Sequence, residues 1–274
     1  MNAALADAAQ QAADWLRQAD GLLITAGAGM GIDSGLPDFR GPQGFWGVYP
    51  ALGRARIAFE QIANPQAFAL HPRLAWGFYG HRLALYRQTV PHAGFALLQQ
   101  FAAALPQGAF VYTSNVDGQF QQAGFDAQRI VECHGSIHHL QCMDGCGGAI
   151  WPADEFQPFI DAEQCHLTSA LPLCPHCGGL ARPNILMFGD WGWLSRRSDE
   201  QEARRHAWLR GVKRLVSIEI GAGTHIPTVR LLGERLSKSL IRINPNEAQV
   251  PAGQGVPLAC GGLAGLQAIA AALR

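Results

Sequence analysis

The most chemically explicit residues in this chain are four cysteines, arranged as Cys142-x3-Cys146 and Cys174-x2-Cys177 with 27 residues between the pairs. Four thiolates close a tetrahedron around Zn²⁺ at about 2.3 Å and leave no position for a substrate, so such a site holds structure rather than performing chemistry. Gly145, Gly147, Gly178 and Gly179 permit tight knuckles around the ligands. The alternative is two unlinked thiol pairs. Cys165 has no close partner, Cys133 and Cys260 sit in apolar runs and read as core residues, and His176 reads as a bystander between ligands. His134 follows an apolar run and precedes Gly135-Ser136. An imidazole with an ordinary pKa near ~6.5 suits proton transfer, although a lone histidine also serves as packing. Asn115 and Asp117 follow another apolar run, where they read as ligand contacts or as a helix N-cap. Thr25 to Gly31 reads TAGAGMG, either a phosphate-cradling turn or a plain strand-to-helix connection.

The elements around these residues alternate. An amphipathic helix is expected over residues 4–18 and a buried strand at Leu22–Thr25. Residues 56–105 read as helices. Further strands are expected at 109–113, 130–131, 185–188, 215–220 and 240–243, and helices at 199–210 and 225–238. Residues 138–182 read as irregular. Strands alternating with helices predict an α/β fold, a Rossmann-like doubly wound parallel sheet. The polar and glycine-rich clusters follow strand ends, where open α/β sheets bind ligands. Two stretches interrupt the alternation. They predict a small helical and zinc-binding domain from residues 46–90 and 136–182, inserted in a nucleotide-binding domain of 1–45, 91–135 and 183–274.

Composition removes other classes. Among 274 residues, 21 Lys+Arg balance 21 Asp+Glu, and charged residues are 15% of the chain. A neutral, sparsely charged protein has no electrostatic footprint for nucleic acid or an anionic membrane surface. The 48% hydrophobic content supplies a core and argues against disorder. No run reaches the ~18 apolar residues of a membrane span. The N-terminus lacks a signal-peptide pattern, so a cytoplasmic location is the expectation. The paired cysteines then favour metal over disulfides.

Residues 27–41, GAGMGIDSGLPDFRG, resemble the nucleotide-binding signature of the sirtuin family of NAD-dependent protein deacylases. Further matches follow in chain order: Thr113-Ser114-Asn115-Val116-Asp117-Gly118, Cys133-His134-Gly135, the two cysteine pairs, and Arg182 to Asp190. The resemblance spans roughly residues 15–262. It implies that NAD is consumed as a co-substrate and that Zn²⁺ is structural. The carbonyl oxygen of an acylated protein lysine would attack the ribose, releasing nicotinamide and then O-acyl-ADP-ribose. His134 would be the general base, with Asn115 in the ribose pocket and Asp117 on the nicotinamide carboxamide. Gly27, Ala28, Gly29 and Met30 would line the cofactor with Ser114. Asp38, Phe39 and Arg40 would cover the reactive sugar and neutralise pyrophosphate. Gly221 and Thr224 fall in the phosphate loop, and Asn244 at the adenosine ribose. Tyr79 and Arg82, at i and i+3 of a helix, resemble the Tyr-x-x-Arg of members that remove acidic acyl groups; the plainer reading is a core tyrosine and a solvated arginine.

The chain departs from the family pattern at Gly31 (for Ser), Ser114 (for Gln), Asp190 (for Glu) and in a longer phosphate loop. Gly31 and Ser114 are expected to loosen ribose contacts, and Asp190 to change which substrates bind. Two other activities fit: transfer of ADP-ribose to a protein, and non-catalytic NAD sensing. Hydride transfer is disfavoured, because no acidic ribose-binding residue stands ~20 positions beyond the glycines.

Overall fold

The strands that sequence periodicity marks as buried assemble into one parallel sheet. In the computed structural model, which describes residues 3–37 and 41–274, it contains β1 (Gly21–Ala26), β2 (Ala109–Thr113), β3 (Ile130–Glu132), β9 (Leu215–Ile220), β10 (Leu240–Ile243) and β11 (Gly255–Leu258). The order is β11-β10-β9-β1-β2-β3, every pairing parallel. β1 lies in the middle and every one of its residues is buried, which explains its unbroken apolar run. The chain order reverses between β1 and β9, the switch point at which doubly wound sheets bind dinucleotides.

Helices cover both faces of this sheet. α1 (Ala3–Gln18), α7 (Ala93–Ala103) and α11 (Gly262–Leu273) pack on one side through Ala9, Leu16, Leu98 and Leu266. α9 (Arg196–Leu209) and α10 (Thr228–Leu236) pack on the other against Leu23, Phe110 and Val131. A separate core gathers α2 (Gly41–Val48), α3 (Pro50–Arg54), α4 (Phe59–Ile62), α5 (Pro65–Leu70) and α6 (Pro72–Gln88) around Phe68, Trp76 and Phe78. It also takes in Leu36, Val116, Ile185 and Met187 from outside the two inserted stretches. The short α8 (Gln119–Gln122) follows β2.

The segment after β1 is a 3-10 helix, Ala28–Ser34. Two expectations need correction. Residues 138–182 are not wholly irregular. They complete β4 (Gly135–Cys142), β5 (Ile150–Pro152), β6 (Ile160–Asp161), β7 (His166–Leu167) and β8 (Ala181–Ile185), with β4 between β5 and β8 in an antiparallel sheet. The strand expected at 185–188 instead ends at Ile185. Beyond it, Leu186 N–H bonds His134 O, Met187 N–H the Asp190 carboxylate and Phe188 N–H Ala63 O, so no ladder continues.

α6 touches the β7 region through Gly77, where a Cβ would stand 1.8 Å from Cys165 O. Alanine raises helix propensity by about 1 kcal/mol over glycine. Overpacking costs about 1–3 kcal/mol, and here the obstacle is backbone, which cannot rotate away. Gly77→Ala should therefore lower the melting temperature by several degrees; calorimetry showing an unchanged or higher midpoint contradicts this packing.

Candidate active site and zinc centre

The catalytic candidates converge at the carboxyl ends of β1, β2 and β3. Asn115 Nδ2 donates to Gly27 O at 3.0 Å, and its backbone N–H bonds Thr113 Oγ1 at 3.0 Å. Ser114 N–H bonds Ala26 O, while its backbone also holds the His134 ring. Burial lowers the His134 pKa below its ordinary value against the opposing pull of that bond, so the ring is neutral at pH 7 and able to take a proton. Gly135 is required at the next position: its φ is +77° and a Cβ would lie 2.0 Å from Asn184 O. His92, which the sequence gave no role, steadies the turn from below by bonding Met30 O at 3.0 Å.

The glycines serve a different immediate purpose from the one their spacing implied. Gly27 N–H bonds Ile220 O, Gly29 N–H bonds Gly221 O and Met30 N–H bonds Gly27 O, so these donors are already spent. A Cβ on Gly221 would lie 2.3 Å from Gly29 Cα. The glycines let two turns touch backbone to backbone. The crevice beside that contact is lined by Gly29, Ile32, Asp33, Gly221, Asn244 and Gly262. The crevice stands at the sheet's switch point, where doubly wound folds bind dinucleotides. Asp33 is a member that sequence reading missed; its carboxylate caps α11 through Leu263 N–H. Asn244 and Thr224 are also internally engaged. Asn244 ties Ala222 O to the N–H groups of Asn246 and Glu247, and Thr224 donates its N–H and hydroxyl to Glu247. Asp38, Phe39 and Arg40 lie outside the described residues.

Asp117 is 8% exposed. Burial, with Glu132 nearby, pushes its carboxyl up to about 6, while Gln119 N–H and Arg82 favour the charged form. Arg82 is not the solvated arginine of the plainer reading. It is 9% exposed, and its Nε and Nη2 donate to Tyr86 Oη at 2.8 and 2.6 Å. Tyr79 is 1% exposed, its ring 6.0 Å from the guanidinium carbon. Tyr86 was missed, although it falls one turn further along the same helix face; Tyr49 also faces the Arg82 charge.

The departures have physical readings. A Cβ on Gly31 would meet Leu36 Cδ1 at 2.8 Å. Asp190 is turned inward, its carboxylate paired with Arg182 at 2.7 and 2.8 Å and bonded to the N–H groups of Met187 and Gly192. Its carboxylate therefore holds the shape of the 186–192 turn.

The four cysteines meet as expected. Cys142 and Cys177 Sγ are 3.7 Å apart, Cys146 and Cys174 Sγ 3.4 Å, and all four sulfurs lie within 4.8 Å of one another. A tetrahedral zinc thiolate needs sulfur separations of about 3.8 Å, so the donor set fits. Gly145, Gly147 and Gly178 have positive φ, as the knuckles demand.

Comparison with known proteins accords with this geometry. The Sir2 family model matches residues 27–203. The chain belongs to the Sir2 family. An NAD-dependent protein deacylase of Ralstonia nicotianae is 32% identical over 69% of this chain and 69% of its own length. One from Aquifex aeolicus is 28% identical over 84% of this chain and 85% of its own. The match to a Danio rerio deacylase named sirtuin-5 is 31% identical and covers 62% of this chain and 57% of that protein. A solved Sir2 homologue–NAD complex superposes with a TM-score of 0.69 at 23% identity, over 95% of this chain and 92% of its own. Among the described residues, no helix is long and apolar enough to cross a membrane.

Two outcomes test this Sir2-family site. Structural zinc contributes about 10–16 kcal/mol of binding free energy to folding in small domains. Cys174→Ser should lose the bound equivalent of zinc, read by elemental analysis, and unfold at markedly lower temperature; retained stoichiometry would remove Cys174 from the ligand set. Asp117 follows a linkage argument. A carboxyl raised from 3.8 to about 6 on folding costs stability at pH values above about 6, and the cost vanishes as pH falls through that value towards the unfolded pKa. At about 1.4 kcal/mol per pKa unit this is about 3 kcal/mol at most. Asp117→Asn, which can still accept from Gln119 N–H, should melt several degrees higher than the parent at pH 8, with the gap about halved at pH 5 and closing towards pH 4. A gap independent of pH rules the burial account out.

Proposed function

We propose that this chain is an NAD-dependent protein-lysine deacylase that yields nicotinamide and O-acyl-ADP-ribose. The observation that carries this is the hydrogen-bonded connection Gly27–Asn115 and Ser114–His134 at the switch point of the sheet. Bound NAD supplies an electrophilic ribose with nicotinamide as leaving group and the hydroxyls that receive the acyl group. Gly27, Ala28, Gly29 and Met30 would line it with Ser114, Asn115 would sit in the ribose pocket, and Asp117 would face the nicotinamide carboxamide. Gly221, Thr224 and Asn244 shape the far half by fixing the loop rather than by free donors. His134, neutral because it is buried, accepts a ribose hydroxyl proton on its ring. Asp117 presents its carboxylate to the carboxamide. The cysteine centre closes the smaller core and leaves the chemistry to the crevice.

The acylated protein would approach along Leu186–Asp190, the segment held to His134 O. Trp191, 99% exposed at its end, offers an indole to that partner. The buried Arg82, ringed by Tyr49, Tyr79 and Tyr86, favours an acyl chain ending in a carboxylate. A small domain of residues 46–90 and 136–182 is supported by the separate core around Trp76, which also draws in Leu36, Val116, Ile185 and Met187. A reducing cytoplasm suits the four-thiolate centre.

The deciding experiment incubates the protein with NAD and acetyl- or succinyl-lysine peptides and weighs the products. Nicotinamide, free lysine and an acylated ADP-ribose are expected. His134→Ala should cut the rate by about 10²–10⁴ with the fold intact. Arg82→Ala should abolish succinyl removal while sparing acetyl removal. Label from NAD appearing on protein would instead establish ADP-ribosyl transfer, and NAD binding without nicotinamide release would leave a sensor.

A further inference from the structure

The turn beside the crevice, Ala28–Ser34, contains Gly29 and Gly31 and is flanked by Gly27 and Gly35, the last at a φ of +83°. Glycine-rich backbone has the most conformational freedom to lose. A ligand that needs this turn in one shape binds tightly only if the fold already holds that shape. The sheet holds the near end, through Gly27 N–H on Ile220 O and Gly29 N–H on Gly221 O. Side chains hold the rest. Asp33 accepts from Leu263 N–H of α11. His92, the residue before α7, reaches the turn twice. Its backbone N–H donates to Ser34 Oγ at 3.1 Å, and its ring bonds Met30 O at 3.0 Å.

The imidazole is engaged at both nitrogens. Gly94 N–H donates to Nδ1 at 3.0 Å, which caps α7. Nδ1 therefore carries the lone pair, and Nε2 carries the proton that goes to Met30 O. Burial lowers the ring's pKa against the Met30 bond and the Asp33 charge, so the ring is neutral at pH 7 and keeps this tautomer. Two features set the Met30 bond apart from the cap. Ser, Thr, Asn or Asp caps a helix well; what the imidazole adds is a donor on the far side of the ring. In addition, a Cβ at Gly94 would stand 2.4 Å from His92 Cε1, so only glycine there leaves the ring where it is. Met30 in turn gives its N–H to Gly27 O, the carbonyl that also accepts from Asn115 Nδ2. The ring, the turn and Asn115 are thus bonded in series.

We propose that His92 is a positioning residue for the nucleotide: its Nε2–H on Met30 O holds the Ala28–Ser34 turn in the shape that binds the ADP-ribose portion of NAD, a task separable from its cap on α7. This role presupposes that the crevice is the NAD site. The crevice lining takes Gly29, Ile32 and Asp33 from the turn and does not include His92, so the ring acts through the turn and not on the ligand.

The test separates the two ring nitrogens by substitution. His92→Asn sets an amide oxygen as many bonds from Cα as Nδ1, which keeps the acceptor for Gly94 N–H but falls short of Met30 O. His92→Gln sets an amide N–H as many bonds from Cα as Nε2, which keeps the donor to Met30 O and gives up the cap. ADP-ribose is titrated calorimetrically into the zinc-loaded full chain, and melting is followed on the same samples. His92→Asn should melt close to the parent yet bind about three- to tenfold more weakly, the size of one hydrogen bond. His92→Gln should melt a few degrees lower yet bind within about twofold of the parent. His92→Ala should show both losses. Parent-like affinity in His92→Asn overturns the proposal. So does affinity that falls in step with melting temperature across the three variants, the pattern of a residue that only stabilises the fold. A parent that binds no ADP-ribose overturns the reading of the crevice itself, an outcome distinct from any difference among the variants.

Discussion

Between the turn at Gly29 and the turn at Gly221 there is no room for one side-chain carbon. The ends of β1 and β9 are neighbours in the sheet, and their loops leave in the same direction. A Cβ on either glycine would sit within 2.6 Å of the opposing backbone, so only glycine lets the loops close. That closure gives the crevice a wall of peptide backbone and sets Gly27 O where Asn115 Nδ2 can reach it. From Asn115 the geometry passes to Ser114 and then to His134. The catalytic layout thus depends on a steric exclusion more than on any attractive contact.

Beneath that wall the sheet carries buried charge. Glu219 of β9 pairs with Arg242 of β10 at 2.6 and 3.0 Å, and Arg242 also reaches Glu234 at 2.7 Å. Burial pushes the Glu219 pKa up, and Arg242 and Arg230 hold it down. Such pairs seldom add net stability over an apolar core. Their geometry is informative here. Arg230 donates to Ala222 O and Glu247 O, and both arginines reach Gln249 O. The network pins the two loops that border the crevice, so the desolvation cost is offset by a fixed loop position.

The sequence made some of this legible. The cysteine spacing led directly to four sulfurs within bonding reach of one metal, because a metal site needs only ligand types and local turns. The buried strands could be read because β1, β9 and β10 are mostly apolar, although Glu219 and Arg242 interrupt the last two. What escaped depended on contacts distant in sequence. Leu186 to Phe188 have strand-like side chains, yet their N–H groups go to His134, Asp190 and Ala63. Tyr86 lay on the right helix face, but nothing local showed that Arg82 would turn to it rather than to solvent. The spacing of the glycines suggested a phosphate cradle, but it did not show that Gly29 and Gly221 meet backbone to backbone, where any side-chain carbon would clash.

The same reasoning explains why the polar groups near the crevice are so poorly hydrated. Asp117, Arg82 and Glu132 are all buried within the junction of the two cores. Burying charge is costly even where it is paired, as Glu132 is with Arg197. Burial leaves Asp117 with a raised pKa, and Arg82 donates twice to the Tyr86 hydroxyl. Electrostatic interactions are strongest in such a low-dielectric setting, so these groups fix one another's positions more firmly than they would in water.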